Sequence, residues 1–191
     1  MPATLQLCAA CRRAASCTAQ RSRACHSTWQ VWLEGLHTRL KTFDVFRLPY
    51  SNASREHIDG LYPRRVDFFK GSSVETVPRY VRDVRAGLQP PCDVWFVDGE
   101  HRGGTPLLDL KNAIASAADN ATIIADDCTR RFPAVEDAWG ALLLTGAVDD
   151  AFNRTLSLPA PAGLKGWCVG RRIERSVCAS RCQHGSRCAC E

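Results

Sequence analysis

Cys92-Asp93-Val94-Trp95-Phe96-Val97-Asp98-Gly99-Glu100-His101 is an apolar run that ends in an acid, a glycine and a histidine. Apolar residues on both faces mark a strand buried in a parallel sheet that helices cover on either side. Ligands of such sheets bind beyond the carboxyl ends of the strands, where Asp98 to His101 fall. A second strand of the same design, Thr122-Ile123-Ile124-Ala125-Asp126-Asp127, also ends in carboxylates. Between the two, Thr105-Pro106 starts a helix whose Leu107, Leu110, Ile114 and Ala118 repeat at helical spacing, which completes one βαβ unit.

The same alternation extends outward. Thr42 to Phe46 reads as a strand, Ser51 caps a helix running to Tyr62, and Val66 to Lys70 reads as the next strand. Ser72 and Glu75 have capping-box spacing ahead of a helix with Val77, Val81, Val84 and Leu88 on one face. Pro133 opens another helix, with Val135, Ala138, Trp139, Leu142 and Leu143 at apolar spacing. Two β-like segments close the chain, Phe152 to Leu158 and Gly166 to Ile173, around the turn Pro159-Ala160-Pro161. The expected fold is therefore α/β: a Rossmann-like, doubly wound, mostly parallel sheet with helices on both faces and an antiparallel C-terminal strand pair.

Charge and cysteine divide the chain into an expected body, residues 27–173, between a basic, Cys-rich N-terminal segment, 1–26, and a basic, Cys-rich tail, 174–191. Residues 34–163 carry 15 basic and 18 acidic side chains, whereas the two ends supply the excess behind the overall +5. No basic face in the body is interleaved with aromatics and no apolar segment is long enough to span a membrane, so no nucleic-acid and no membrane partner is expected. Of 11 cysteines only Cys92 and Cys128 lie well inside the body, the pattern of a reduced, cytosolic domain. The tail spacing Cys178-x3-Cys182-x-His184-x3-Cys188-x-Cys190 matches neither usual zinc knuckle, and Cys8-Ala9-Ala10-Cys11 lacks the strand-to-helix context of a redox site. The N-terminal segment has no secretory apolar region but is Arg-, Ser- and Ala-rich like an organellar transit sequence, so the expected location is cytoplasmic or organellar. Asn-x-Ser/Thr acceptor triplets at Asn52, Asn120 and Asn153 carry weight only in a secreted chain.

With this order of elements, residues 27–173 resemble the class I S-adenosylmethionine-dependent methyltransferases, especially the small-molecule O-methyltransferase branch. The resemblance rests on Thr42-Phe43-Asp44-Val45-Phe46, Phe69-Lys70-Gly71-Ser72-Ser73, Val97 to His101 and Ile124 to Asp127, in that order. It implies S-adenosylmethionine as cofactor and methyl transfer to a small hydroxylated acceptor. In that family an acid closing the second strand holds the ribose hydroxyls, which implies that role for Asp44. A carboxylate accepts from two vicinal hydroxyls at once. The residue after the third strand contacts adenine and is commonly acidic, whereas this chain has Ser72. Cys25-His26-Ser27 stands as the remnant leading into the first helix, so that His26 and Ser27 join the implied cofactor-binding residues. Asp98 faces the methionine part of the cofactor or a metal.

Asp98, Asp126 and Asp127 also resemble the acidic set with which metal-dependent members hold Mg²⁺ beside the acceptor hydroxyl. Adjacent strand residues point to opposite faces, so Asp126 and Asp127 both ligate only if the strand has already broken into a loop. The alternative is that one of them caps the following turn. His101 has two readings, a general base beside Asp98 or a hydrogen-bond partner for a loop.

The departure from the family lies at the start. The first glycine in the chain is Gly35, so no glycine-rich turn follows a first strand, and Trp29, Trp32, Leu33, Leu36 and Leu40 form a helical stripe instead. A missing central strand forfeits on the order of 10 kcal/mol of burial, which rivals a whole domain's net stability of about 5–15 kcal/mol. Residues 3–8 fill the slot, a partner fills it, or the chain is a truncated methyltransferase, the outcome expected here. Three functions follow: an S-adenosylmethionine-dependent methyltransferase, a non-catalytic or truncated binding module of that fold, and a hydrolase using Asp98, His101 and Asp126. The last has no Gly-x-Ser-x-Gly elbow, P-loop or dinucleotide fingerprint to accompany it.

Overall fold

A computed structural model describes residues 5–11, 38–45, 49–157 and 164–173. Its elements run β1 (Leu5–Cys11), β2 (Thr38–Asp44), α1 (Pro49–Leu61), β3 (Val66–Lys70), α2 (Ser73–Arg85), β4 (Cys92–Asp98), α3 (Thr105–Ala115), β5 (Ala117–Asp126), α4 (Pro133–Leu144), β6 (Val148–Ser157) and β7 (Leu164–Arg172). The seven strands form one sheet in the order β3-β2-β1-β4-β5-β7-β6. β2 pairs parallel with β3, and β4 parallel with β5. β7 runs antiparallel between β5 and β6, which is the expected C-terminal strand pair.

The central slot is filled, and filled in reverse. β1 lies between β2 and β4 and is antiparallel to both, with Leu5 opposite Asp98 and Cys11 opposite Thr38. Truncation of the sheet is thereby corrected. Residues 5–11 belong to the sheet of the α/β domain and not to a separate segment ending at residue 26. The direction has a consequence for the site: Leu5 is at the edge where β4 ends, and Cys11 is at the edge where β2 begins.

Period-two alternation sorts the strand residues onto two faces. Phe43, Trp95, Val97, Ile123 and Ala125 are buried under α2, α3 and α4, against Val77, Tyr80, Leu110, Val135, Ala138, Trp139 and Leu142. Leu40 and Val66 pack with Ile58 of α1, flanked by Phe68 and Phe96, on the other face. The rings of Phe43 and Trp95 stack at 5.7 Å although β1 separates their strands, and Phe69 stacks on Phe43 at 4.7 Å. A buried lysine closes the β2 end of this face: Lys41 Nζ donates to Asp67 Oδ2 and Gln89 Oε1, each at 2.8 Å. The ammonium is buried whereas the Asp67 carboxylate is over a third exposed, so the lysine keeps its charge through these two acceptors.

Boundaries shift where tertiary pairing overrides pattern. β2 starts at Thr38, so Leu40 is a strand residue and not the end of a helical stripe; Trp29, Trp32, Leu33 and Leu36 lie outside the described residues. Ala118 belongs to β5, because α3 ends at Ala115. Ser72 is the residue before α2 but its side chain makes no cap; Thr76 Oγ1 instead donates to the Ser72 carbonyl at 2.9 Å. Leu88 lies beyond α2 and is exposed. The reduced body is corrected as well: Cys128 and Cys168 form a disulfide across 40 residues. The tail cysteines and His184 lie outside the described residues.

β6 and β7 pack so closely that Gly170 has no room for a side chain. A Cβ there would lie 2.3 Å from the Asp149 carbonyl oxygen and 3.1 Å from the Trp139 ring. Gly170→Ala is expected to cost about 1–3 kcal/mol or more, a loss of roughly 2–12 °C in melting temperature. An unchanged thermal melt would mean that this strand pair is looser than described.

Candidate functional site

Three strand ends build the site. β2 ends at Asp44, β4 at Asp98 and β5 at Asp126. Asp44 and Asp98 lie in one row across the sheet with the start of β1 between them. Two interstrand spacings separate their backbones by roughly 10 Å. Asp44 is 8% exposed, and its carbonyl accepts from Gly71 N–H at 3.0 Å, which fixes the end of β2 against the turn after β3. Gly71 sits at φ 144°, and a Cβ there would meet Thr76 Cγ2 at 2.9 Å, so the turn that delivers Ser72 requires glycine.

The strand break needed to bring Asp126 and Asp127 together is present. Asp127 has φ 54°, in the left-handed region, so its side chain swings to the same side as that of Asp126. Lys165 Nζ then donates to Asp126 Oδ2 at 2.7 Å and to Asp127 Oδ1 at 2.9 Å. The Asp127 N–H donates to Asp126 Oδ1 at 2.9 Å. Both oxygens of Asp126 are thus engaged inside the protein, while Asp127 Oδ2 turns towards His101.

His101 Nε2 lies 3.6 Å from Asp98 Oδ1 and 3.5 Å from Asp127 Oδ2, just beyond hydrogen-bond length from either carboxylate. Its ring is held by Phe132, centroid to centroid 4.5 Å, and its backbone N–H donates to Glu100 Oε1 at 3.1 Å. Its pKa is raised: the adjoining Asp98 carboxylate contributes most, burial opposes it, and the negative charges of Asp127 and Asp126 add to it. The Asp126 carboxyl is also raised, by burial first and then by Asp98, with Lys165 working against both. Burial pulls the Lys165 ammonium down, but its bonds to Asp126 and Asp127 outweigh that and leave it raised.

Among the described residues, ligand atoms of Asp98, His101 and Asp127 come within 4.8 Å of one another, the spacing of a cation site. Two carboxylate oxygens and one imidazole nitrogen suit a first-row divalent ion such as Mn²⁺ at least as well as Mg²⁺. The expected set was Asp98, Asp126 and Asp127; the geometry substitutes His101 for Asp126, which Lys165 and the Asp127 N–H already occupy. Asp44 and Ser72 form a separate group at the ends of β2 and β3, and His26 and Ser27 lie outside the described residues. A cleft of about 850 Å³, lined by Lys41, Arg55, Asp67 and Gln89 among others, is at the opposite edge, where β2 begins. We give it no part in the chemistry, since Lys41 is committed to Asp67 and Gln89. At the carboxyl edge a crevice of about 10 Å³ opens beside His101, Asp109 and Asp126. Lys165 and Phe132 were not legible as site residues, because their partners are 31 to 39 positions away and no motif spans that distance.

A family model described as a methyltransferase domain matches residues 3–128. The N-methyltransferase NodS from Bradyrhizobium japonicum WM9, solved with S-adenosyl-L-homocysteine, shares 13% identity over 71% of this chain and 67% of its own, with a TM-score of 0.53. An O-methyltransferase from Bacillus cereus in complex with SAH shares 13% identity over 64% of this chain, with a TM-score of 0.49. The O-methyltransferase TomG from Streptomyces achromogenes, with SAM, gives 13%, 64% and 0.45. The chain spans 56% and 57% of the lengths of the last two. No curated protein sequence matches it.

The lysine at the centre of this cluster makes a clean test. Lys165→Met leaves the buried Asp126 carboxylate facing Asp98 without a cation and is expected to cost about 1–3 kcal/mol, or roughly 2–12 °C in melting temperature. Adding Asp126→Asn should recover part of that loss. Strictly additive melting shifts in the double variant would mean that the two groups are not coupled.

Proposed function

This chain belongs to the methyltransferase-domain family, and from that premise we propose that it binds S-adenosylmethionine along the carboxyl edge of the sheet and transfers the methyl group to a small hydroxylated acceptor. The observation that carries the reading is the row of acids, Asp44, Asp98 and Asp127, brought to one edge by three strand ends with an imidazole between two of them. Asp44 suits the ribose hydroxyls, accepting from both. The turn at Gly71 and Ser72 sits beside it and suits the adenine end.

Methyl transfer asks for an acceptor oxygen in line with the sulfonium and for somewhere to send the hydroxyl proton. Held by Asp44 and Asp98, S-adenosylmethionine would supply an electrophilic methyl group whose leaving group is the neutral thioether. His101 Nε2 is placed to take the proton, and Asp98 and Asp127 stabilise the imidazolium that results. Lys165 holds Asp127 so that only Oδ2 faces the imidazole. A second reading is favoured by the clustering of Asp98, His101 and Asp127: a divalent cation held there would lower the acceptor hydroxyl's pKa. One imidazole serves as ligand or as base, so the two readings are exclusive at any instant. Binding without catalysis is the competing class of function, because the chain has no glycine before Gly35 to form a glycine-rich turn and the edge beside Asp98 is met by the start of β1.

Calorimetric titration with S-adenosylmethionine tests the first step. Asp44→Ala should weaken binding roughly tenfold or more, the loss of a charged hydrogen bond, and His101→Gln should leave binding intact. Unchanged affinity in Asp44→Ala would remove that residue from the site. Titration with Mn²⁺ separates the two readings. Binding lost in Asp127→Asn supports the cation site, whereas no binding by the parent protein leaves His101 as the base.

A further inference from the structure

We propose that Asn120 is an N-linked glycosylation site and that this chain folds in an oxidising compartment. Two observations carry this, and neither depends on the methyltransferase reading.

The first is covalent. Cys128 and Cys168 are joined, each is about 1% exposed, and Cys92 is disulfide-bonded too. Structural disulfides form and persist where thiols are oxidised, and they are rare in reducing cytosol. Cys128 and Cys168 give up two electrons and two protons by exchange with a disulfide oxidant of that compartment.

The second is geometric. In the β4–β5 ladder Cys92 pairs with Ala117, and the next register pair is Val94 with Thr122, so two steps of β4 face five of β5. The surplus residues leave the ladder as a bulge. Asn120 sits there at φ 59°, exposed, in the triplet Asn120-Ala121-Thr122. Asparagine tolerates the left-handed backbone, which by itself would account for residue 120; it does not account for the threonine two positions on. That threonine completes the acceptor triplet, the sequence that oligosaccharide transfer reads on the chain before β5 pairs. The bulge is at the amino end of β5, and Thr122 and Asp126 are four residues, or about 13 Å, apart along the strand. A glycan on Asn120 therefore projects away from Asp98, His101 and Asp127. Asn52 is exposed too, but in the first turn of α1, which follows the site end of β2; Asn153 lies within β6 opposite Cys168.

The donor is a lipid-pyrophosphate-linked oligosaccharide. The Asn120 amide nitrogen bonds to the anomeric carbon, the carbon–oxygen bond to pyrophosphate breaks with its electron pair leaving on oxygen, and the amide gives up one proton.

The protein is isolated from the cells that make it, with free thiols alkylated at lysis, then deglycosylated with peptide N-glycosidase in ¹⁸O-water and mapped by mass spectrometry. The expected result is ¹⁸O-labelled aspartate at position 120, with Cys128 and Cys168 alkylated only after reduction. The same cells expressing Thr122→Val, which keeps Asn120 and its turn, should yield an unlabelled Asn120 peptide. Unlabelled Asn120 in the parent protein overturns the glycan whatever the thiols show, and alkylation of Cys128 or Cys168 before reduction overturns the oxidising compartment.

Discussion

One strand makes this sheet single. β2 and β3 form one hydrogen-bonded unit and β4, β5, β7 and β6 another, and among the described residues β1 is the strand that joins the two ladders. Every backbone donor and acceptor on the facing edges of β2 and β4 depends on it, because a buried sheet edge without partners carries a cost for each unpaired group. The side chains respect the same constraint: Phe43 and Trp95 meet over β1, so the aromatic cluster with Phe69 and Tyr80 exists only while β1 holds the two units in register. Antiparallel pairing supplies hydrogen bonds as well as parallel pairing does. What reversal changes is which end of β1 reaches the site.

That change explains how the site is built. In a sheet whose first strand ran parallel to β4, the chain leaving that strand would emerge beside Asp44 and Asp98. Here the edge near Asp98 is met by the beginning of β1, and the chain leaves at the far edge with Cys11. Order at the carboxyl edge is supplied from the other side, by β7. Asp126 pairs with Trp167, Cys128 N–H donates to the Gly166 carbonyl, Cys128 bonds covalently to Cys168, and Lys165 grips both Asp126 and Asp127. Closing a 40-residue loop by a disulfide is worth about 4 kcal/mol in chain entropy. The same link pins the residue next to Asp127.

Apolar periodicity and proline placement survived folding, whereas the Ser72 capping box and the helical stripe ending at Leu40 did not. β3, β4, α3's start at Thr105-Pro106 and α4's start at Pro133 stand where apolar period and proline placement put them. Asp98, His101, Asp126 and Asp127 were legible as a group, because two consecutive strand ends of a βαβ unit must open on one crevice. The direction of β1 was not legible, since Leu5 to Cys11 carries a strand's composition but nothing that states its polarity. Leu40 was read as the end of a helical stripe, and tertiary pairing with β3 and β1 made it a strand residue. Cys128 and Cys168 looked like body and tail cysteines, and only the β5–β7 register brings them together.

The division of labour between Asp126 and Asp127 follows from one backbone angle. Had β5 stayed extended for one more residue, Asp127 would point to the opposite face from Asp126, and no single ammonium could bond both. The left-handed turn at Asp127 places both carboxylates at Lys165, and the resulting pairs saturate Asp126 on Oδ1 and Oδ2 while leaving Asp127 Oδ2 towards His101. Two adjacent acids of identical chemistry are thereby given different jobs: one anchors β7 to the end of β5, and the other completes the group around the imidazole. A non-glycine residue at positive φ is uncommon and is kept where its surroundings over-determine it. Here those surroundings are the lysine, the disulfide beside it and the acid before it, so the strain at Asp127 and the order of the site have the same source.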